Sequence, residues 1–228
     1  MSLLSRLKDL LPSRKPRESY GLHGLDLKLL PYLNFRRGFF VEAGANDGLT
    51  QSNTYYLERY MGWRGMLIEP VPELAEKCRA NRRRCIVESC ALVSADYRKP
   101  AVPLRYANLM TIVEGAFKSK VEEDKHVDVG CDIQQVRTYS LQAPAATLSG
   151  LLDKHGVRRV DFLSLDVEGY ELNALKGLDL ARHAPRYMLI EARYRDEIDA
   201  YLDRLYHPVA VLSHYDVLYA RKEALRKA

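Results

Sequence analysis

Three short acidic motifs, each closing an apolar run, carry the residues of this 228-residue chain that could do chemistry. The first is Glu42-Ala43-Gly44-Ala45-Asn46-Asp47-Gly48, directly after Phe39-Phe40-Val41. Gly44 and Gly48 allow a tight turn and let the backbone pass close to a ligand that a Cβ would obstruct. The turn opens on an acid, Glu42, which suits a positive group and repels a pyrophosphate. It also lacks the G-x-G-x-x-G fingerprint of a dinucleotide site. The second motif is Ile68-Glu69-Pro70. An acid at the tip of the second strand of an α/β unit accepts hydrogen bonds from ribose hydroxyls, and such a charge-assisted bond is stronger than a neutral one. The third is Asp166-Val167-Glu168-Gly169-Tyr170-Glu171, joined further on by Glu191 in Leu189-Ile190-Glu191-Ala192-Arg193. Asp166, Glu168 and Glu191 are the candidate catalytic residues, any of which could take a proton from a reacting group. Asp166 and Glu191 could instead hold a divalent cation such as Mg²⁺. Glu69, Asp166 and Glu168 each have a plainer reading too, as helix-start residues.

These motifs need strands to deliver them and helices to cover the strands. From Gly38 onward the two alternate: Gly38 to Gly44, Arg64 to Pro70 and Cys85 to Leu92 read as strands, with helical stretches at 50–61 and 71–83 between them. The order implies a parallel sheet with helices on both faces. Residues 92–146 interrupt the rhythm, and the sequence predicts a hairpin there with a flexible or lid-like segment around 112–132. The alternation then resumes, with helices at 147–155, 170–177 and 195–205 and strands at 160–166 and 186–192. HPVAVLS and DVLYAR predict a closing antiparallel pair. Residues 3–11 read as a basic amphipathic helix, so the chain divides into a helical arm over 1–37, a catalytic domain over 38–220 and a basic tail over 221–228.

The segments GFFVEAGANDG, QSNTYYLE, GWRGMLIEPVPE and VDFLSLDVEGYELNALKGL together resemble the FkbM-type methyltransferases, in that family's order, over roughly 38–192. The family mostly O-methylates hydroxyls of sugars, glycans and natural products. The resemblance implies a Rossmann-like class I methyltransferase fold using S-adenosylmethionine. It maps Glu42, Gly44, Asn46 and Glu69 onto the cofactor site and places Cys90 and Ala91 beside the adenine. Gln51, Ser52 and Asn53 would open the next helix, where their donors could hold the methionine carboxylate. The cofactor-binding set is then Glu42, Gly44, Ala45, Asn46, Gly48, Ser52, Asn53, Glu69, Pro70, Cys90 and Ala91. Ser149 stands where the family pattern often has an Asp, which weakens the metal reading.

Composition bounds the alternatives. Apolar residues make up 47% and charged residues 29%, the balance of a soluble globular protein that can bury a core without disulfides. The four cysteines form no paired zinc spacing and read as reduced thiols. With no membrane-length apolar run and no signal-peptide pattern, the chain reads as cytoplasmic. The net charge of +5 gathers in residues 1–17, in Arg79 to Arg84 and in the last eight residues. Such patches suit a phosphorylated or lipid-linked acceptor, peripheral contact with an anionic membrane, or simply solvated surface; the N-terminal helix could also serve a homodimer. A nucleic-acid substrate is disfavoured, because DVEG is not the Asn/Asp-Pro-Pro-aromatic pattern that holds a flipped base. Methylation of a nitrogen or a carboxylate, or a non-catalytic Rossmann-like binding module, are the competing functions. His126 and His214 are further base candidates, and Tyr55, Tyr56, Tyr106 and Tyr139 could stack on a sugar.

Overall fold

The apolar runs that precede the acidic motifs become the central strands of a seven-stranded sheet in the computed structural model, which describes residues 18–223. The strands are β1 (Phe39–Ala43), β2 (Arg64–Ile68), β3 (Ile86–Glu88), β8 (Phe162–Leu165), β9 (Tyr187–Glu191), β10 (Tyr206–Val211) and β11 (Asp216–Arg221). Their order across the sheet is β10-β11-β9-β8-β1-β2-β3. All neighbours pair in parallel except β11, which runs antiparallel to both β9 and β10. The C-terminal pair is therefore antiparallel as the sequence predicts, and the whole is an α/β sheet of the Rossmann-like kind.

Side chains alternate between the two faces, as strand geometry requires. Val41, Ala43, Met66, Ile68, Leu163 and Leu165 point into one core, covered by α5 (Leu148–Lys154), α6 (Glu171–Lys176) and α8 (Arg195–Leu202). Phe40, Leu67, Phe162 and Leu189 point into the other, under α1 (Leu25–Lys28), α2 (Tyr55–Met61) and α3 (Pro72–Asn81). Leu25, Leu29 and Leu33 are buried in that second core, so residues 18–37 pack directly on the sheet. The predicted helix over 3–11 and the last five residues lie outside the described residues. No helix among those described is long and apolar enough to cross a membrane.

The sequence reading needs correction at three places. The helix expected from Thr50 starts only at Tyr55, because Gln51 adopts a left-handed backbone at φ 58° and the Ser52 hydroxyl accepts from the amides of Thr54 and Tyr55. The single strand expected over Cys85 to Leu92 is two: β3 ends at Glu88, and β4 (Ala91–Leu92) joins a second sheet. That sheet has the order β4-β7-β5-β6, with β5 (Ala101–Arg105), β6 (Ile112–Val113) and β7 (Ser140–Ala146). Finally, the segment expected to be flexible contains the longest helix described, α4 (Lys120–Gln134). Its buried stripe is Glu123, His126, Val127 and Gly130. The spacing is helical, but only one member is apolar, so hydrophobic periodicity misses it. Its start is marked by Ser119, whose hydroxyl accepts from the Glu122 amide at 3.2 Å, as an N-cap should. The remaining labelled helix is the short α7 (Leu180–His183).

Candidate active site

The turns at the carboxyl ends of the parallel strands meet around a cavity of ≈ 370 Å³, and the inserted segment covers it. Gly44 (φ +81°) follows β1, and a Cβ on it would lie 1.8 Å from the Asp166 carbonyl oxygen. Only glycine allows the first motif to rest on the third. Asn46 adopts φ 48°, one of four non-glycine left-handed residues on the cavity wall with Gln51, Asn108 and Glu168. Backbone held in this region for non-glycine residues tends to gather at functional sites.

Glu69 at the end of β2 is 4% exposed. Its carboxylate accepts from the amides of Asn46 at 2.8 Å and Val71 at 2.9 Å. It thus ties the first turn to the start of α3, and the plainer helix-start reading holds alongside its place on the cavity wall. Burial outweighs these two bonds and pushes its carboxyl up to about 7.

Glu42 lines the cavity, with its carboxylate engaged by its own loop. Its oxygens accept from the hydroxyls of Ser52 and Thr54 and from the Asn53 amide. Arg82, at 0% exposure, stands 3.7 Å from Glu42, ion-pairs with Glu58 and donates to the Gly48 carbonyl at 2.7 Å. Charge pattern placed Arg82 in a surface patch with its neighbours, and no sequence signal marks it as the buried clamp of this loop. Gly48 (φ +82°) is a packing residue: a Cβ there would meet the Arg82 side chain at 2.9 Å. It is the one member of the predicted cofactor and catalytic set that does not line the cavity. Nearby, Asn53 donates to the Ser164 hydroxyl, while its Oδ1 is buried without a partner.

At the other end, carboxylate oxygens of Asp166, Glu168 and Glu191 lie within 4.8 Å of one another. The turn that presents them is braced by Glu171, whose carboxylate accepts from the amides of Val167 and Gly169 at 3.0 Å each. Neither Asp166 nor Glu168 caps α6. Asp166 is exposed where it opens onto the cavity. Desolvation by the surrounding walls, with the neighbouring charges of Glu191 and Glu168, holds its carboxyl well above the usual range. Burial and Glu168 do the same to Glu191. His126, brought by α4, has its Nε2 3.1 Å from Glu168 Oε2. Arg193 lies 3.8 Å from Glu168 and 4.0 Å from Glu191.

The inserted segment closes the roof. Asn46 donates through Nδ2 to Asn108 Oδ1 at 2.9 Å, and Asn108 donates to Gln134 on α4 at 3.2 Å. Cys90 and Ala91 line the wall between β3 and β4, and no disulfide joins the four cysteines. Tyr55, Tyr56, Tyr106 and Tyr139 line neither this cavity nor its neighbour, and His214 is exposed elsewhere. Ser149 bonds His183 and the Asp179 amide, away from the carboxylates. Asn108, Arg193 and Tyr170 face the cavity without having been singled out from sequence.

A TehB-like S-adenosylmethionine-dependent methyltransferase from Corynebacterium glutamicum is similar in structure, with a TM-score of 0.44 and 10% identity over 96% of each chain. No curated protein matches the chain at a significant level. The family model of the methyltransferase FkbM domain matches residues 42–211, a span that takes in the glycine turn, Glu69, the roof and all three carboxylates. The chain therefore belongs to the FkbM family and is an S-adenosylmethionine-dependent methyltransferase.

Proposed function

We propose that the protein O-methylates a sugar hydroxyl, in a glycan or a natural product. The carrying observation is the cluster of Asp166, Glu168 and Glu191 lining the end of the cavity remote from Glu69. A hydroxyl acceptor must shed a proton as its oxygen forms the new bond. A carboxylate acceptor has no proton to lose, and an amine, once its ammonium form has lost a proton to solvent, offers a free lone pair. A site built to take a proton therefore favours the hydroxyl over the other two, and over a binding module without chemistry.

The chain's residues fit the cofactor. Glu69 is placed to accept from the ribose hydroxyls, with Cys90 and Ala91 against the adenine. The unpartnered Asn53 Oδ1 suits the ammonium of the methionine part, a role that Glu42, saturated by its own loop, leaves open. Bound there, S-adenosylmethionine supplies an electrophilic methyl on a sulfonium, whose sulfur keeps the electron pair of the broken S–C bond. Asp166, with a raised proton affinity, takes the hydroxyl proton while Glu168 and Glu191 accept from neighbouring hydroxyls of the sugar and so hold the reacting oxygen in line. Such alignment contributes up to roughly 7–11 kcal/mol and the base about 10²–10⁴-fold. Asp166 and Glu191 could also hold Mg²⁺, which would relieve the same repulsion between carboxylates and lower the acceptor's pKa.

The test is methyl transfer from radiolabelled S-adenosylmethionine to a panel of sugars and glycans, with EDTA or added Mg²⁺. Labelled sugar ethers formed equally in EDTA support the proton-taking role, whereas loss of transfer in EDTA restored by Mg²⁺ assigns Asp166 and Glu191 to the metal. Exclusive labelling of amines or carboxylates would overturn the hydroxyl reading.

A further inference from the structure

A second cavity of ≈ 400 Å³ opens between α4 and the segment after β9. Met110, His126 and Arg193 face both cavities, so the two meet beside the carboxylates. At this junction His126 Nε2, Glu191 Oε2 and Arg193 Nε are all buried without a hydrogen-bond partner. The His126 side chain is only 7% exposed, and its approach to Glu168 lacks hydrogen-bond alignment. Unsatisfied buried polar groups are rare in a finished structure and mark where a ligand's own polar groups belong.

The wall of the second cavity explains what kind of ligand. Phe117 and Tyr194 offer ring faces and Val129 an aliphatic edge. Arg193 lies over Phe117 at 5.0 Å and over Tyr215 at 5.1 Å, which fixes its guanidinium in place. On the same segment Arg105 and Lys120 pair with Glu123 and Asp124, and Lys118 with Glu197, while Arg98, Lys99 and Arg137 lie outside the cavity wall. Lys125 is exposed on the cavity rim and has no ion pair among the described residues. One acid, Glu122, shares the wall with these two cations.

We propose that this second cavity is the acceptor subsite, and that the acceptor is an anionic hydroxyl compound, a sugar bearing a phosphate or a carboxylate. The sugar ring lies against Phe117 and Tyr194, the anionic group sits at Lys125, and the reacting hydroxyl enters the junction between His126 and Asp166. The proposal rests on the methyltransferase reading of the first cavity.

The test loads the protein with S-adenosylhomocysteine and titrates glucose 6-phosphate, glucose and inorganic phosphate by calorimetry. The expected result is glucose 6-phosphate bound at least about tenfold more tightly than glucose or phosphate, a difference of about 1.4 kcal/mol. Lys125→Glu should abolish that preference with no change in S-adenosylhomocysteine affinity, since its exposed side chain supports no part of the fold. Phe117→Ala should weaken the sugar phosphate and leave inorganic phosphate unaffected. Equal affinity for glucose and its phosphate, no binding of the sugar phosphate at millimolar concentration, or a preference unchanged in Lys125→Glu each overturns the proposal. Failure of S-adenosylhomocysteine to bind at all would sink the cofactor site instead, a result legible before any sugar is added.

Discussion

Glu69 shows how one side chain can report on the site. Its folded pKa of about 7 stands above its ordinary 4.5 because burial penalises the charged form more than two amide donors help it. The stability tied to its protonated form is complete below pH 4.5 and lost as pH rises through 7, a change of about 3 kcal/mol. Glu171, also pushed up to about 7 by burial, acts in the same direction, so the ligand-free protein should resist urea better at pH 5.5 than at pH 7.5. Hydroxyl donors from a bound ribose favour the ionised carboxylate and should expel its proton. Calorimetry of S-adenosylmethionine binding near pH 6, in buffers of differing ionisation enthalpy, is expected to show that release, and Glu69→Gln to lose it along with at least tenfold in affinity. Asp166→Asn should bind the cofactor normally and lose roughly 10²–10⁴-fold in turnover; retained turnover would move the base to another group. The places of Glu69 and Asp166 on the cavity wall were legible because each acid directly follows an apolar strand run. Arg193 was not, since it reaches the site only through tertiary packing, and nothing in the sequence separated His126, which lines the cavity, from His214, which does not.

At the scale of elements, the loop between β1 and α2 is set by a buried ion network rather than by its own helix. Arg82 from the end of α3 holds Gly48, Ser52, Thr54 and Glu58. Arg82→Met should leave Glu42 and Glu58 buried without their partner and cost about 3–5 kcal/mol, read as a lower urea midpoint. Arg82→Lys should recover little, because one ammonium cannot serve contacts spread around a planar fork. The central strands β1, β2, β8 and β9 were legible from their apolar runs, whereas β3 and β4 ran together because no glycine or proline parts them. The helix α4 was hidden because its buried face sets a single apolar side chain, Val127, among Glu123, His126 and Gly130, where a Cβ on Gly130 would press on Met110 at 2.8 Å. Close approach and polar burial replaced the apolar stripe that pattern reading needs.

For the molecule as a whole, the inserted segment is a roof pinned to the sheet through Asn46 and Asn108. Ligand in the first cavity should therefore slow amide exchange along α4, far from β1 in sequence. Hydrogen exchange with and without S-adenosylhomocysteine measures this, and unchanged rates in α4 would mean that the roof does not sense the cofactor. Asn108→Ala should speed cofactor dissociation and reduce that protection. The sequence located this segment by its broken rhythm yet could not assign its use, because its function lies in contacts made across 62 residues.

The place of β11 between β9 and β10 has a consequence for how the chain is made. β10 has no partner in the sheet until β11 arrives, and β9 keeps a bare edge until the same moment. Because synthesis runs from the N-terminus, the ribosome must nearly finish the domain before its sheet can be filled. Until then the nascent chain displays unpaired strand edges of the sort that recruit chaperones or other chains. Ribosomes stalled before residue 216 should carry a chain open to protease at β9, and release of the last strand should close it in a single cooperative step.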